Sequence, residues 1–192
     1  MRGGVLFVEN DDSFSWNVVD LLPVPRARVQ VRSARQVRRA PSLLARAGAV
    51  VIGPGPRDPE RAGLVGLVRD VARRRKPLLG VCLGHQALGL AFGARLIRTA
   101  PAHGVTARAV FRRSRMFPGV SGARMVMRYH SLSLSGVRAP LRVVAALADG
   151  TTMAVEHESL PMAGLQFHPD SFATPRGREM VAAFFRAAGA GP

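Results

Sequence analysis

The chain has 192 residues, 47% of them hydrophobic and 21% charged, which excludes a disordered polymer and fits one domain with a substantial core better than two. Its formal net charge is +16, yet a single lysine, Lys76, stands among the 28 basic residues, and the arginines are scattered from Arg2 to Arg186 in short runs such as Arg73-Arg74-Arg75-Lys76. That scatter argues against a nucleic-acid binder and for a solvated arginine-rich surface or an acidic protein partner.

Met1-Arg2-Gly3-Gly4 leads into Val5-Leu6-Phe7-Val8, an apolar run too short for a secretory signal core, which predicts a first buried strand. Asp11-Asp12-Ser13 forms a capping cluster ahead of a helix to about Leu22. Strands are predicted over residues 29–31 and over Ala49–Ile52, the latter stopped by Gly53-Pro54-Gly55-Pro56. Residues 62–75 carry Leu64, Val65, Val68 and Val71 at helical spacing, with arginines at the end where the helix dipole favours cations. Leu78–Val81 is a buried strand and residues 84–92 another helix. From Ala94 the pattern becomes strand-like, over residues 95–98, 106–111, 125–129, 143–147, 153–155 and 162–166, before a last helix over 175–188.

This order predicts an α/β fold in which residues 1–192 form one domain: an open, mostly parallel twisted sheet with helices on both faces and a small antiparallel addition. No apolar run reaches the roughly 18 residues of a membrane span, so no membrane is expected. One cysteine, Cys82, cannot form an internal disulfide, which points to a reducing cytoplasm.

That cysteine lies in the sharpest feature of the sequence, Leu78-Leu79-Gly80-Val81-Cys82-Leu83-Gly84-His85-Gln86. A buried strand runs into G-x-C-x-G and a helix follows at once, which is a nucleophile elbow with cysteine as the nucleophile. Gly80 and Gly84 allow the tight turn, and the helix N-terminus favours a thiolate at Cys82. A buried structural cysteine is the alternative, and glycines at both −2 and +2 argue against it.

A thiolate needs a base. Among His85, His103, His130, His157 and His168, the last ends an apolar strand and precedes Pro169-Asp170-Ser171. Residues two apart in an extended segment share a face, so Asp170 is expected to orient His168 as the base. His85 is expected to pack or cap. Oxyanion donors are expected from the backbone N–H of Leu83 and from Gly55, since Pro54 and Pro56 have none.

These segments resemble those of the class I, or triad, glutamine amidotransferases, most of all the small subunits of anthranilate synthase and aminodeoxychorismate synthase. The likeness runs through Val8-Glu9-Asn10-Asp11-Asp12-Ser13-Phe14 with Asn17, Gly53-Pro54-Gly55, the elbow, and His103-Gly104. It continues in Arg128-Tyr129-His130-Ser131-Leu132 and Gly164-Leu165-Gln166-Phe167-His168-Pro169-Asp170-Ser171. The resemblance implies a flavodoxin-like fold, L-glutamine as substrate, and a Cys82–His168–Asp170 triad releasing ammonia to a chorismate-binding synthase. It implies glutamine held by Gly53 to Gly55, Gln86 and the backbone of Ser131 and Leu132. It further implies no cofactor or metal in this chain and a Mg2+-dependent synthase as partner.

Three positions depart from the family pattern. Asp170 stands where glutamate is usual, His103-Gly104-Val105-Thr106-Ala107 lacks the usual lysine and serine, and Val51-Ile52 replace Ser-Pro before Gly53. The first bears on catalysis and the second on the partner-facing surface. Two alternatives remain to an active ammonia-releasing chain: a non-catalytic binding or regulatory subunit, and a stand-alone cysteine hydrolase on the same fold.

Overall fold

The computed structural model describes residues 3–190. Apolar runs too short for a helix become strands: β1 (Val5–Glu9), β3 (Ala49–Ile52), β4 (Leu78–Val81) and β9 (Met162–Leu165). They pair in parallel with β2 (Val29–Ser33) outside β1, so that Val8 lies opposite Ile52 and Val81 opposite Leu165. Parallel neighbours need crossovers, which α1 (Ser15–Asp20), α2 (Ala34–Arg39), α3 (Ser42–Arg46), α4 (Leu64–Arg73) and α5 (Leu83–Ala91) supply. α6 (Gly177–Ala187) closes the chain.

Alternate strand residues serve opposite helical layers. Val5, Phe7 and Val51 join one core with Val18 of α1 and Phe184 of α6. Leu6, Val50 and Ile52 join the other with Val37 of α2, Leu67 of α4 and Leu88 of α5. The sheet is thus covered on both faces, and no helix among the described residues is long and apolar enough to cross a membrane.

The antiparallel part comprises β5 (Arg95–Phe111), β6 (Gly122–Ser135), β7 (Leu141–Ala146) and β8 (Thr152–His157), in the order β2-β1-β3-β4-β9-β8-β7-β5-β6. It is a larger share of the sheet than the small addition expected. Residues 95–98 and 106–111 form one strand rather than two, because register shifts between Arg98 and Ala102 and between His103 and Val105 absorb Pro101 and Gly104. A single bridge between Met127 and His168 ties β6 to the segment after β9.

Two further differences concern helices. α2 and α3 were not expected. Ser33 and Gln36 form a reciprocal capping box at the start of α2, but only Ala34 and Val37 of that helix are buried, so its arginines mask the period. α1 begins at Ser15 without a side-chain cap: Asp12 accepts a hydrogen bond from the Phe14 N–H at 2.8 Å, forming a turn ahead of the helix.

Candidate active site

The carboxyl ends of β1, β3, β4 and β9 all open on one edge of the sheet, where open α/β sheets place their ligands. Cys82 follows β4 directly, at φ 50° and ψ −99°, and caps the N-terminus of α5. A non-glycine residue at positive φ is strained, and here the surroundings impose it. The Cys82 N–H donates to the Leu165 carbonyl at 2.8 Å, while its own carbonyl accepts from the Gln86 N–H at 3.1 Å. The flanking glycines are sterically required: a Cβ on Gly80 would lie 2.4 Å from the Gly84 carbonyl oxygen, and one on Gly84 would lie 2.3 Å from that of Ile52.

His168 is fixed from three sides. Its N–H donates to the Met127 carbonyl at 3.0 Å, its carbonyl accepts from the Thr174 hydroxyl at 2.7 Å, and that hydroxyl accepts from the Met127 N–H at 2.9 Å. Phe14 and Tyr129 enclose the imidazole, with ring centroids 5.7 and 5.0 Å away. His168 Nδ1 and Asp170 Oδ1 face each other at 3.3 Å with both side chains 2% exposed, an ion-pair distance without the alignment of a hydrogen bond. Burial works to lower the His168 pKa, but Asp170 and the Cys82 sulfur beside it overcome that and raise it to about 10.

Asp170 therefore reaches His168 as expected, though by another route. Residues 169–170 form a turn, with the Ser171 N–H directed at the His168 carbonyl at 3.4 Å, rather than a continuing strand. The start of α6 presses on this turn: a Cβ on Gly177 would fall 1.9 Å from the Pro169 carbonyl oxygen. The turn and the start of α6 are thus packed too closely for any side chain at position 177.

The glycine loop sits beside the elbow. Asn10, buried after β1, donates to the carbonyls of Val8 at 3.2 Å and Gly53 at 3.1 Å, and the Gly53 N–H donates to Val8 at 3.0 Å. Both backbone groups of Gly53 are thus engaged in holding the loop. Gly55 lies against Leu83, since a Cβ there would meet Leu83 Cδ2 at 2.8 Å and the Asn10 carbonyl oxygen at 2.7 Å. Gln86 Nε2 donates to the Leu132 carbonyl at 3.4 Å, which brings β6 to the site, while Ser131 is exposed.

His130 positions that carbonyl. Arg128 Nε donates to His130 Nε2 at 3.1 Å, which leaves the proton on Nδ1, 2.9 Å from the Leu132 oxygen. Burial foremost, then Arg128, lower its pKa to about 4, so the ring is neutral. His85 is fully buried against Gly164, its pKa lowered by burial to about 3, and it packs as expected.

Sequence reasoning assigned no role to Gln166, yet it lies at the centre of the site. Fully buried, it directs Nε2 at the Cys82 sulfur at 3.7 Å and accepts from Gln86 Nε2 at 3.4 Å. The available signal was an amide inside an otherwise apolar run, two residues before His168. Phe14 and Tyr129 were recognised as motif residues but not as walls of the His168 pocket.

The model of the glutamine amidotransferase class-I family matches residues 6–188. The chain is 38% identical to an aminodeoxychorismate synthase of Streptomyces griseus, across 93% of this chain but only 25% of that longer protein. It is 34% identical to anthranilate synthase component 2 of Azospirillum brasilense, across 94% of both chains. Among solved structures, a glutamine amidotransferase from Methylobacillus flagellatus superposes with a TM-score of 0.74 at 16% identity, covering 98% of this chain and 96% of that one, and so shares the fold. With the family model spanning nearly the whole chain, this protein belongs to the class I glutamine amidotransferases.

Proposed function

We propose that this chain is the glutaminase subunit of a chorismate-using synthase, with Cys82 as nucleophile, His168 as proton carrier and Asp170 as its orienting carboxylate. One observation carries the assignment: a strained cysteine at a helix N-terminus faces a buried histidine held protonated by an aspartate behind it. The Cys82 thiolate adds to the side-chain carbonyl carbon of glutamine, and backbone N–H groups at Leu83 and Gly55 receive the oxyanion. His168 gives its Nε2 proton to the departing nitrogen, which leaves as ammonia. It then takes a proton from water as the hydroxide attacks the thioester, releasing glutamate and restoring the thiolate. Gln86 and the Leu132 backbone, with the Gly53–Gly55 loop, would hold the substrate.

The ammonia acceptor is read from the relatives, whose names place them in anthranilate and aminodeoxychorismate synthesis. The site's surroundings suit docking. Phe172, two residues beyond Asp170, is 97% exposed, and Trp16 is half exposed near Phe14. A Mg2+ requirement would belong to the synthase and a cytoplasmic setting to the pair.

Glutaminase activity of the isolated chain should be low and should rise when a chorismate-using synthase is added. In the complex, Asp170→Asn should lower turnover on the order of 10²-fold, because the imidazolium loses its counter-charge. Unchanged turnover in Asp170→Asn would remove Asp170 from the triad. A high basal rate that no such synthase alters would favour a stand-alone hydrolase.

A further inference from the structure

Among the described residues, the side-chain amide of Gln166 points at the reacting sulfur and yet has no part in the chemistry proposed for Cys82 and His168. Its orientation follows from its neighbours. The Leu132 carbonyl can only accept, so the end of Gln86 that faces it must be the amide nitrogen. The same nitrogen lies 3.4 Å from one end of the Gln166 amide, which must therefore be the oxygen. The other end, 3.7 Å from Cys82 Sγ, is left as the N–H donor. A flipped Gln166 would set two NH2 groups against each other and an oxygen against the sulfur.

We infer that Gln166 is a catalytic residue of this site, donating an N–H hydrogen bond to the Cys82 sulfur and held in that sense by Gln86. The inference rests on the reading of Cys82 as the glutaminase nucleophile. A neutral donor inside a dry site counts most when the sulfur is anionic. That is its state before it attacks glutamine and again when the thiolate leaves the γ-glutamyl thioester. No bond to Gln166 forms or breaks. It keeps its proton throughout, while His168 carries the proton that moves.

The burial supports a role beyond packing. A fully enclosed amide whose N–H partner is a sulfur is costly, and an apolar residue of similar length would fill the space beside Cys82 and Gln86 without that cost. Gln166 also shares the side-chain direction of His168, two residues on, so one segment delivers both a proton carrier and an N–H donor to the sulfur.

The test uses the full chain and iodoacetamide, whose single possible cysteine target is Cys82. In Gln166→Met, of similar length but without donors, the pH midpoint of alkylation should rise by about one unit. The kcat for glutamine in the synthase complex should fall on the order of ten-fold with KM little changed. Gln86→Met, which leaves Gln166 free to flip, should move the alkylation midpoint the same way by a smaller amount. That second variant decides the matter if the first does not fold. An alkylation profile in Gln166→Met, or in Gln86→Met where only that folds, superimposable on that of the wild type would overturn the inference. Cys82→Ala separates the two levels: if it is inactive while Gln166→Met behaves as wild type, only the role of Gln166 fails. If Cys82→Ala still hydrolyses glutamine, the nucleophile assignment fails and this inference with it.

Discussion

Replacing Cys82 with alanine should lower glutamine hydrolysis by on the order of 10⁴-fold or more while leaving the fold intact. Alanine keeps the Cβ and the same tolerance for φ 50°, so the strain of the elbow is unchanged and only the sulfur is lost. The residue is 7% exposed and packs in the core beside Val81 and Leu165, so the missing atom leaves a space of about one methyl group. That should reduce stability by about 1 kcal/mol, far too little to unfold a domain of this size. Synthesis driven by added ammonium salts in the complex should be retained. Parallel loss of both activities, with a large drop in the denaturation midpoint, would show that Cys82 serves the core rather than the chemistry.

The second large effect is on stability and comes from Gly84. A Cβ at this position meets the Ile52 carbonyl oxygen at 2.3 Å and the Ile52 Cβ at 2.9 Å. Both belong to β3, in the middle of the parallel sheet, where the main chain is paired on both sides and cannot give. Gly84→Ala should therefore destabilise the domain by about 3 kcal/mol and displace the start of α5, taking the N-terminal amides away from Cys82. Gly66 is the contrast. It lies in the exposed side of α4 with nothing within 4 Å of an added Cβ, so Gly66→Ala should stabilise by about 0.5 to 1 kcal/mol. Equal midpoints for the two variants in urea would mean that the elbow is not held against β3 as described.

The contrast between these glycines also shows what the sequence made legible. Gly80 and Gly84 bracket a cysteine between an apolar strand and a helix, and that local pattern is enough to predict a close backbone approach. β1, β3 and β4 were equally plain, because their Val-, Leu- and Ile-rich runs ended at a polar or glycine-containing turn. His168 was legible for the same reason, as the polar end of an apolar run. What failed were features whose cause lies far along the chain. The continuity of β5 was hidden by Pro101 and Gly104, which read as breaks but are accommodated by pairing with β6. α2 and α3 each bury so few side chains that arginines dominate the pattern. Asp170 reaches His168 from a turn at residues 169–170 packed against Gly177 of the next helix, a contact no local pattern announces. Gln166 draws its orientation from Gln86, 80 residues earlier, through the Leu132 carbonyl on a third element.

The central claim is that the Cys82 site releases ammonia which a chorismate-using synthase consumes. It is tested most directly by supplying the complex with chorismate, glutamine labelled with ¹⁵N in the side-chain amide, and unlabelled ammonium in the buffer. The wild-type complex should place ¹⁵N in the amino group of the aminated product, and the Cys82→Ala complex should place only unlabelled nitrogen there. Product carrying no ¹⁵N from the wild type, or as much from Cys82→Ala as from the wild type, would contradict the account.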